Sequence, residues 1–433
     1  MTMAYLKNLL KMRTPRPLVS LYHFLLAHLG ALRYGFRSRK LIVIAVTGTK
    51  GKSSTTEILN AILEEAGYTT ALLNSIRIKI DDCSMPNVLR MSMPGRFFIQ
   101  RFFRDAVNKK CTVAILEMTS EGAKQYRHRS IEIDALVFTN LAPEHIESHG
   151  SYKAYADAKF EIGRQLVRSR KRPRIIVANA DDEESDRYLR LSVEQSLPFS
   201  LTAHSPWFAD ERGGYFTLDA FKISVHLPGE FSLKNALAAS VLAKALGIEV
   251  SLIARAFDKL KRIPGRAERI EAGQDFTVVV DYAHTPDSLE ALYEAYKNTR
   301  KICVMGATGG GRDTWKRPVM GSIADSRCDI VILTNEDPYD ENPDAIVNAI
   351  AEGMRRAPDI IMDRRAAIRR GLQLASKGDS VLITGKGTDP CICGPHGSKI
   401  PWNDANVARE ELAKLASARA ASAESARPSI MTT

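Results

Sequence analysis

The sequence predicts an α/β fold with mostly parallel sheets, and three observations support this fold class. Apolar runs that suit buried strands recur along the chain, helical stretches lie between them, and polar residues begin where the runs end. Strands that alternate with helices favour a parallel sheet whose two faces are covered. The chain has 433 residues, which is too many for one ordinary domain. Its composition, with 45% apolar and 26% charged residues, is typical of a soluble globular protein.

The apolar runs form two series, which predict two α/β domains. They lie at 41–47, 112–118, 135–141 and 174–180 in the first series, and at 276–283, 301–307, 329–335 and 380–387 in the second. An alternating stretch at 213–228 suggests a small antiparallel hairpin, and the charged, proline-containing segment 258–269 is the best candidate for a linker. The predicted parts are an N-terminal arm (1–40), a central domain (41–262), a C-terminal domain (263–415) and a disordered tail (416–433).

The net charge of +11 is concentrated in the N-terminal arm. Residues 1–40 contain eight lysines and arginines and no acidic residue, so the rest of the chain sums to only +3. A nucleic-acid-binding face over the whole protein is therefore not expected. Leucines at helical spacing predict a basic amphipathic helix, which either packs on the next domain or lies on an anionic membrane surface. These leucines are Leu18, Leu21, Leu25, Leu29 and Leu32.

The six cysteines show no regular spacing along the chain. Cys391 and Cys393 lie close together in sequence, but no second pair completes a zinc site. We therefore expect reduced thiols in a cytoplasmic protein, because disulfides are rare in that compartment.

The stretch "VTGTKGKSSTTEIL" (46–59) has most of the pattern of a phosphate-binding loop. Backbone N–H groups of a glycine-rich loop, followed by a helix N-terminus, form a cradle for anions. In the general pattern the lysine, here Lys52, reaches terminal phosphates and the next hydroxyl, here Ser53, binds Mg²⁺. Val46 occupies the first glycine position, so the generic match is incomplete and a lysine-rich turn is the alternative. The nucleotide-binding residues predicted in the loop are Gly48, Thr49, Lys50, Gly51, Lys52, Ser53 and Ser54.

This loop resembles the ATP loop of the Mur ligase family, which also includes folylpolyglutamate synthase. The resemblance continues in the family's order over roughly 41–410, through "AILEMTSEGAKQYRH", "VFTNLAPEHIESHGSYKAYADAKFEIG", "VANADDE", "GEFSLKNALAA", "IPGRAERI", "VVVDYAHTPDSLEAL", "GATGGGRDTWKRPVMG" and "GKGTD". D-Y-A-H-T-P-D together with G-G-x-R-D-x-x-K-R-P points to the UDP-N-acetylmuramoyl-tripeptide synthetase branch. The resemblance implies a P-loop-type central ATPase domain with a mostly parallel sheet and a Rossmann-like C-terminal α/β domain.

The activity that the resemblance implies is ATP-driven amide formation through an acyl phosphate. The expected reaction adds the third amino acid to UDP-N-acetylmuramoyl-L-alanyl-D-glutamate in peptidoglycan precursor synthesis. ATP and Mg²⁺ at two sites are the expected cofactors, the substrates are small molecules, and the expected location is the cytoplasm. Two alternatives stay open: a folylpolyglutamate synthase-like or other peptide ligase of the same family, and a non-catalytic ATP-binding scaffold.

In the central domain the resemblance assigns metal-binding and catalytic roles. Lys52 and Ser53 would serve the β- and γ-phosphates and one Mg²⁺, while Glu117 and His145 would be metal ligands. Lys159, which by itself would be read as a surface lysine, matches the lysine that reacts with CO₂ in many Mur ligases. Its carbamate would bind the second magnesium. The predicted catalytic residues are Lys52, Lys159, Arg266 and His145.

Further roles concern the nucleotide. Asn235 would contact adenine, Asp281 would bind the ribose hydroxyls, and His284 lies in the same turn as Asp281. Arg266 follows the linker and would reach the γ-phosphate when a whole domain closes over ATP.

Several motifs depart from the family pattern. Only about 40 residues precede the ATP domain, so the nucleotide end of the acceptor is held differently or the acceptor is not a UDP-sugar. The D-N-P-R segment of diaminopimelate-adding enzymes reads E-D-P-Y here, and Tyr339 cannot make the bidentate pair of that arginine with a carboxylate. Lysine or another diamine then fits better, unless a relocated arginine such as Arg312 compensates. The predicted substrate residues are Ser92, Thr119, Ser120, Arg312, Asp337, Tyr339, Gly385 and Asp389.

Overall fold

The computed structural model describes residues 16–144 and 146–425, and it confirms the α/β fold class. The chain divides into two compact units. The first unit holds the residues up to Trp207 together with Tyr215–Val225 and Ser232–Leu260. The second unit holds Phe208–Gly214, His226–Phe231 and the chain from Lys261 onward. Two short segments that fall inside the predicted central domain thus belong to the second unit.

An eight-stranded sheet forms the centre of the first unit. Its strands are β1 (Ile42–Thr47), β2 (Thr70–Leu73), β3 (Arg77–Ile80), β4 (Cys83–Pro86), β5 (Val113–Glu117), β6 (Ala135–Phe138), β7 (Ile175–Asn179) and β8 (Gln195–Phe199). The spatial order is β4-β3-β2-β5-β1-β6-β7-β8. From β2 to β8 all neighbours are parallel, whereas β3 and β4 add an antiparallel edge. The sheet is therefore mostly parallel, as predicted.

Helices cover this sheet. They are α1 (Arg16–Tyr34), α2 (Lys52–Glu65), α3 (Arg96–Asn108), α4 (Ser120–Lys124), α5 (Ile146–His149), α6 (Tyr152–Arg168), α7 (Ser185–Leu189), α8 (Glu230–Ala245) and α9 (Val250–Lys259), with 3₁₀ turns at Arg37–Lys40 and Thr202–His204. The central strands β5 and β6 are buried along their whole length. Burial on both faces explains why these strands read as continuous apolar runs in the sequence.

The position of β1 determines where the loops of the first unit gather. Ala45 of β1 pairs with Leu116 of β5 on one side and with Leu136 of β6 on the other. Because the three strands are parallel, their carboxyl ends meet at one edge of the sheet. The loops that follow Thr47 and Glu117 therefore start side by side.

The predicted hairpin at 213–228 is confirmed. It consists of β10 (Gly214–Leu218) and β11 (Phe221–Val225), which follow the short strand β9 (Phe208–Ala209). Asp219 and Ala220 join β10 to β11 with φ values of 48° and 66°. A two-residue hairpin turn of this kind needs left-handed conformations at both central positions.

The second unit is built on a six-stranded sheet of order β12-β13-β17-β14-β15-β16. Its strands are β12 (Glu268–Arg269), β13 (Thr277–Asp281), β14 (Lys301–Met305), β15 (Ile330–Leu333), β16 (Asp359–Ile360) and β17 (Ser380–Thr384), followed by the antiparallel pair β18 (Cys391–Cys393) and β19 (Lys399–Pro401). Its helices are α10 (Pro286–Ala295), α11 (Lys316–Arg327), α12 (Pro343–Ala351), α13 (Arg364–Leu374) and α14 (Asp404–Ser425), with a 3₁₀ turn at Pro395–Gly397. All strand pairs of the large sheet are parallel except β12 with β13.

Helix α1 packs through its small residues and leaves its leucines exposed. It lies against α3, with Ala27 and Ala31 buried and Gly30 close to the backbone of Arg96. The leucines of the predicted amphipathic helix are each at least half exposed. The helix therefore packs on the first unit, but through alanine and glycine, which let two helices approach more closely than leucines would. Within the described ranges, no helix is both long and apolar enough to cross a membrane.

Two details of the second unit differ from the sequence-based expectations. Cys303 of β14 and Cys328, just after α11, form a disulfide, so the prediction that all cysteines are reduced is wrong for this pair. The return of α11 to the sheet brings the two residues together. The stretch 416–425, predicted to be disordered, continues helix α14, and 426–433 lie outside the described residues.

We predict that Gly321→Ala destabilises the second unit. Alanine normally favours a helix interior over glycine by about 1 kcal/mol. In α11, however, the added Cβ would collide with the carbonyl oxygen of Ile350 in α12. Overpacking of this kind costs about 1–3 kcal/mol, so the melting temperature should fall. The neighbouring exposed residue provides the control, because Ser322→Ala should leave the melting temperature unchanged or slightly higher. A Gly321→Ala protein as stable as that control would contradict the packing seen between α11 and α12.

Candidate active site

The loop between β1 and α2 requires glycine at two positions. Gly48 and Gly51 have positive φ values of 149° and 80°. A Cβ atom on Gly48 would collide with Oγ1 of Thr139, and one on Gly51 would collide with Oδ1 of Asn235. The loop is therefore held between the end of β6 and helix α8, so its course is set by its neighbours as well as by its own backbone.

The lysine of this loop lies over the loop itself. Lys52 is the first residue of α2, and its Nζ donates hydrogen bonds to the carbonyl oxygens of Gly48 at 3.0 Å and Thr49 at 2.8 Å. The Nζ of Lys50 lies 3.5 Å from Glu144, a buried carboxylate that the sequence prediction did not include. A cation and a helix N-terminus thus meet at one anion cradle.

Oxygen atoms suited to a magnesium ion meet next to the loop. The hydroxyl of Ser53 donates to Glu117 Oε2 at 2.9 Å and lies 2.8 Å from the hydroxyl of Ser75. The backbone N–H of Ser75 donates to the same carboxylate oxygen at 2.9 Å. Mg²⁺ prefers such oxygen ligands and keeps several waters, so one hydroxyl and one carboxylate fit it.

The predicted metal ligands are Ser53, Glu117, His145 and Lys159. Among residues 16–144 and 146–425, no group of three or more His, Cys, Asp or Glu side chains is placed to hold a metal ion. His145, a predicted ligand, lies outside the described residues. The number of metal sites therefore stays a prediction.

Lys159 is buried against the phosphate loop. The hydroxyl of Ser151 accepts a hydrogen bond from Ala154 and caps α6, as its position in the sequence suggests. One face of this helix then brings Lys159 into the interior, where its side chain is only 2% exposed. Its Nζ donates to Gly48 O at 2.5 Å and lies 4.8 Å from the ring centroid of Tyr155.

Burial also affects the pKa of this lysine. Burial lowers the pKa of Lys159 well below its usual range, and the nearby Lys52 lowers it further. Glu144 and Glu117 act in the opposite direction. A cationic amine cannot be a magnesium ligand, but a neutral amine is the form that reacts with CO₂ to give an oxygen-bearing carbamate. Lys159 therefore fits the predicted metal role only after such a modification.

The residues predicted for the acceptor also lie together. Thr119 caps the short helix α4 by accepting a hydrogen bond from Gly122 N, and its own N–H donates to Met93 Sδ at 3.2 Å. A Cβ atom on Gly122 would collide with the same sulfur. The segment that contains Ser92 therefore rests on the turn between β5 and α4, where Ser120 is buried.

Two arginines at this acceptor region were missed by the sequence prediction. Arg96 donates to the backbone oxygen of Gln125, and Arg127 donates to that of Met93. Burial lowers the pKa of both groups, and for Arg96 the nearby Arg127 lowers it further. In the described part of the chain neither Nε has a hydrogen-bond partner. Two half-buried guanidinium groups therefore lie close enough to interact electrostatically in this region.

In the second unit, three predicted nucleotide residues gather at the end of β13. Asp281 ends the strand and accepts a hydrogen bond from Ala267 N at 2.6 Å; burial raises its pKa, while Arg266 opposes the rise. The Arg266 guanidinium lies 4.6 Å from the ring centroid of Tyr282. His284 Nδ1 is 2.6 Å from the Tyr282 carbonyl oxygen. These contacts hold the carboxylate, guanidinium and imidazole in one small region.

A second cluster of the same unit places carboxylates around one buried lysine. Lys386 is fully buried and its Nζ donates to Asp337 at 2.8 Å and to Asp389 at 3.4 Å. Glu336 lies close to the backbone of Gly385. A Cβ atom on residue 385 would collide with Glu336 Oε2, so only glycine leaves room for this carboxylate. The sequence prediction omitted Lys386 and Glu336 as site residues, although both occur in motifs that it singled out.

Arg312 lies beside the tyrosine that replaces the expected arginine. Tyr339 has a positive φ of 53° and its N–H donates to the carbonyl oxygen of Cys393 at 3.0 Å. The Arg312 guanidinium is 5.2 Å from the Tyr339 ring centroid. A guanidinium therefore lies beside Tyr339, although it belongs to Arg312.

Most of the residues predicted for the nucleotide and metal in the first unit lie around the phosphate loop. In the first unit the residues in or next to the phosphate loop are Gly48, Thr49, Lys50, Gly51, Lys52, Ser53, Ser54, Glu117, Lys159 and Asn235. The remaining missed residue with a clear contact is Tyr155, whose hydroxyl lies 2.9 Å from Thr49 Oγ1. Glu144 and Tyr155 both occur in the long segment that begins "VFTNL". Their closeness in sequence to the predicted residues His145 and Lys159 could have identified them as site residues.

Comparisons with known proteins give a consistent result. Residues 46–243 match the family model described as Mur ligase middle domain, and 265–387 match Mur ligase, glutamate ligase domain. A UDP-N-acetylmuramoyl-L-alanyl-D-glutamate--2,6-diaminopimelate ligase from Syntrophomonas wolfei is 35% identical over 84% of this chain and 76% of that protein. A UDP-N-acetylmuramyl-tripeptide synthetase from Roseiflexus sp. is 35% identical over 90% of this chain and 82% of that protein.

Solved structures show the same fold. A UDP-N-acetylmuramoyl-L-alanyl-D-glutamate--2,6-diaminopimelate ligase is similar with a TM-score of 0.59 and 27% identity, covering 87% of this chain and 79% of that chain. A folylpolyglutamate synthase from Mycobacterium tuberculosis, complexed with ADP, has a TM-score of 0.68 at 18% identity, covering 89% of this chain and 96% of that chain. The second similarity concerns the fold alone.

We predict that Gly51→Ala weakens nucleotide binding. The substitution combines the strain of a positive φ with a collision against Asn235. Gly67→Ala is the matched control, because Gly67 also has a positive φ of 84° but open space around it. Both variants should lose about 1 kcal/mol of stability from backbone strain. Titration with a fluorescent ATP analogue should show weakening of more than about tenfold for Gly51→Ala only. Equal binding by the two variants would contradict the described loop.

Proposed function

Because the chain belongs to the Mur ligase family of ATP-dependent, amide-bond-forming ligases, we propose that it adds the third amino acid to UDP-N-acetylmuramoyl-L-alanyl-D-glutamate. The observation that carries the proposal is the meeting of Lys52, Ser53, Glu117 and the buried Lys159 at one phosphate loop. The identity of about 35% to ligases named for this reaction supports the choice of substrate.

The reaction proceeds in two balanced steps. The acceptor carboxylate attacks the γ-phosphorus of ATP, ADP leaves, and an acyl phosphate forms. The amine then attacks the acyl carbon, loses a proton, and inorganic phosphate leaves. Negative charge builds up at the transferred group in the first step, so the cation of Lys52 and the N-terminus of α2 stabilise it. Magnesium, held by Ser53 and Glu117, supplies further charge neutralisation when bound.

Lys159 is assigned a modification in this proposal. Its neutral amine forms a bond to the carbon of CO₂ and releases a proton, which yields a carbamate. The lysine then contributes an anion instead of a cation beside Lys52. Together with His145, this carbamate would hold the second magnesium ion.

The acceptor is a multiply charged anion, and Arg96 and Arg127 supply cations for it. Both guanidinium groups are half-buried beside the backbone of Gln125 and Met93. Thr119 and the segment that contains Ser92 line the same region. Small-molecule substrates and a cytoplasmic location follow from this function.

The incoming amine is, in this proposal, a diamino acid with a distal carboxylate. The carboxylates of Glu336, Asp337 and Asp389 attract amino groups, as the contacts of Asp337 and Asp389 with the amine of Lys386 illustrate. Arg312, beside Tyr339, supplies the guanidinium that a distal carboxylate needs. Diaminopimelate, which appears in the names of several relatives, has both groups.

A folylpolyglutamate synthase-like activity is the second candidate. The coverage of 96% of the folylpolyglutamate synthase chain favours it, whereas the 18% identity supports only the fold. A non-catalytic scaffold would have no use for a buried lysine with a lowered pKa beside a phosphate loop, so this alternative has the least support.

Phosphate release distinguishes these activities. The protein, ATP and Mg²⁺ are combined with UDP-muramoyl dipeptide, a folate or a short peptide, each crossed with a panel of amino acids. We expect turnover only with the UDP-muramoyl dipeptide plus a diamino acid. Turnover with folate and glutamate would support the second candidate, and no turnover with any pair would support the scaffold.

We predict that Lys159→Ala lowers the turnover at least about 100-fold, because the site loses the anion that faces magnesium. Formate or acetate should restore part of the activity by filling the space with a carboxylate. Lys153→Ala is the control, since Lys153 lies on the same helix but is exposed. Full activity of Lys159→Ala, or a loss that carboxylates do not relieve, would contradict the carbamate role.

We predict that Arg312→Gln lowers kcat/KM for diaminopimelate about 10- to 100-fold, because the variant loses a hydrogen-bonded ion pair with the distal carboxylate. Turnover with lysine, which has no distal carboxylate, should change less than about twofold. Arg355→Gln, an exposed arginine of the same unit, should change neither value. An unchanged ratio of the two substrates in Arg312→Gln would exclude Arg312 as the carboxylate partner.

A further inference from the structure

The exposed side of helix α1 is an apolar stripe, which we call the leucine stripe: Leu18, Leu21, Leu25, Leu29 and Leu32. Each of these side chains is 50–67% exposed, and Tyr22 beside them is 57% exposed. At about 100° per residue they fall within an arc of about 100° on the helix. Isolated exposed leucines are common, but five in one continuous row indicate a surface that contacts something apolar.

The opposite side of α1 is already used. Ala27 and Ala31 are buried against the body of the first unit, and Gly30 lies 3.6 Å, measured from an ideal Cβ position, from the backbone oxygen of Arg96. His28 Nδ1 is 3.0 Å from the hydroxyl of Ser130. The helix is thus fixed in rotation, so the stripe cannot turn inward while these contacts persist.

Positive charge accompanies the stripe. The first 40 residues have eight basic and no acidic residues, whereas the rest of the chain sums to +3. Arg33 is exposed on α1, and Arg39 and Lys40 are exposed in the 3₁₀ turn that follows. Arg101 is exposed on α3, the helix on which α1 packs. Exposed cationic groups are therefore close to the stripe along α1 and the turn that follows it.

We propose that the leucine stripe lies on an anionic membrane surface, with α1 in the plane of the interface. A helix of this kind buries its leucines at the boundary of headgroups and acyl chains while flanking lysines and arginines meet anionic lipids. The two interactions add to each other. Each leucine contributes apolar burial, and each cation contributes an electrostatic attraction that salt weakens.

Charge favours this occupant over two others. A second copy of the chain would bring the same exposed cations, Arg33, Arg39 and Lys40, towards the stripe, so the pairing would be repulsive. A nucleic acid would use the cations but leave the leucines in water. An anionic lipid surface satisfies both features.

Vesicle flotation of the full-length protein tests the proposal. The vesicles consist of phosphatidylcholine alone or with about 30% phosphatidylglycerol, an anionic lipid. We expect flotation with the anionic vesicles only, and release at high salt. The triple variant Leu21→Gln, Leu25→Gln, Leu29→Gln should bind at least about tenfold more weakly, since glutamine keeps the helix but removes the apolar stripe. Arg33→Gln with Lys40→Gln should weaken binding about fivefold per charge.

A matched variant controls for loss of apolar surface in general. Val319, Ile360 and Ile400 are exposed apolar residues of the second unit, and their replacement by glutamine should leave flotation unchanged. Melting temperatures of all variants should stay within a few degrees of the parent, because the altered side chains are exposed. No flotation of the parent protein, or equal flotation of the leucine and control variants, would overturn the proposal. Parent protein that sediments as a dimer, becomes monomeric in the leucine variant and ignores vesicles would assign the stripe to a second copy instead.

Discussion

A buried lysine held against the backbone of the phosphate loop is the constraint on which the first unit's site depends. Lys159 donates to the Gly48 carbonyl, the same oxygen that Lys52 contacts. Two ammonium groups this close repel each other, and removal from water disfavours the charged form further. The lowered pKa of Lys159 relieves this repulsion. Conversion to a carbamate would replace the repulsion by attraction, because the charge of residue 159 would then be opposite to that of Lys52.

The same constraint explains the shape of the loop. Lys159 can reach the Gly48 carbonyl only if β1, β5 and β6 end at one edge and α6 crosses close to that edge. Thr139 and Asn235 then lie so near the loop that Gly48 and Gly51 have no room for side chains. The strand order, the two glycines and the buried lysine are thus parts of one packing arrangement.

The two units use opposite electrostatics. The loop of the first unit gathers cations, which suits phosphates and an anionic acceptor, whereas the Lys386 cluster of the second unit gathers three carboxylates, which suits an amine. A ligase needs both, because one substrate must lose an oxygen as phosphate and the other must attack as an amine. The packing of α1 adds a separate property, since small residues face inward and the apolar ones are left outside.

The sequence by itself determined the parallel sheets and the phosphate loop with Lys52 and Ser53, because strand periodicity and a contiguous loop motif are local properties. Glu117 and Lys159 were predicted only through the resemblance to a family. It could not determine that Lys159 is buried, that Cys303 meets Cys328, or that the leucine stripe faces outward, because each depends on which helix face meets the sheet or a neighbouring helix. Arg96, Arg127 and Lys386 were missed for the same reason: a charged side chain reads as exposed until distant segments close around it. Only the tertiary structure decides burial, and burial decides which partners these side chains contact.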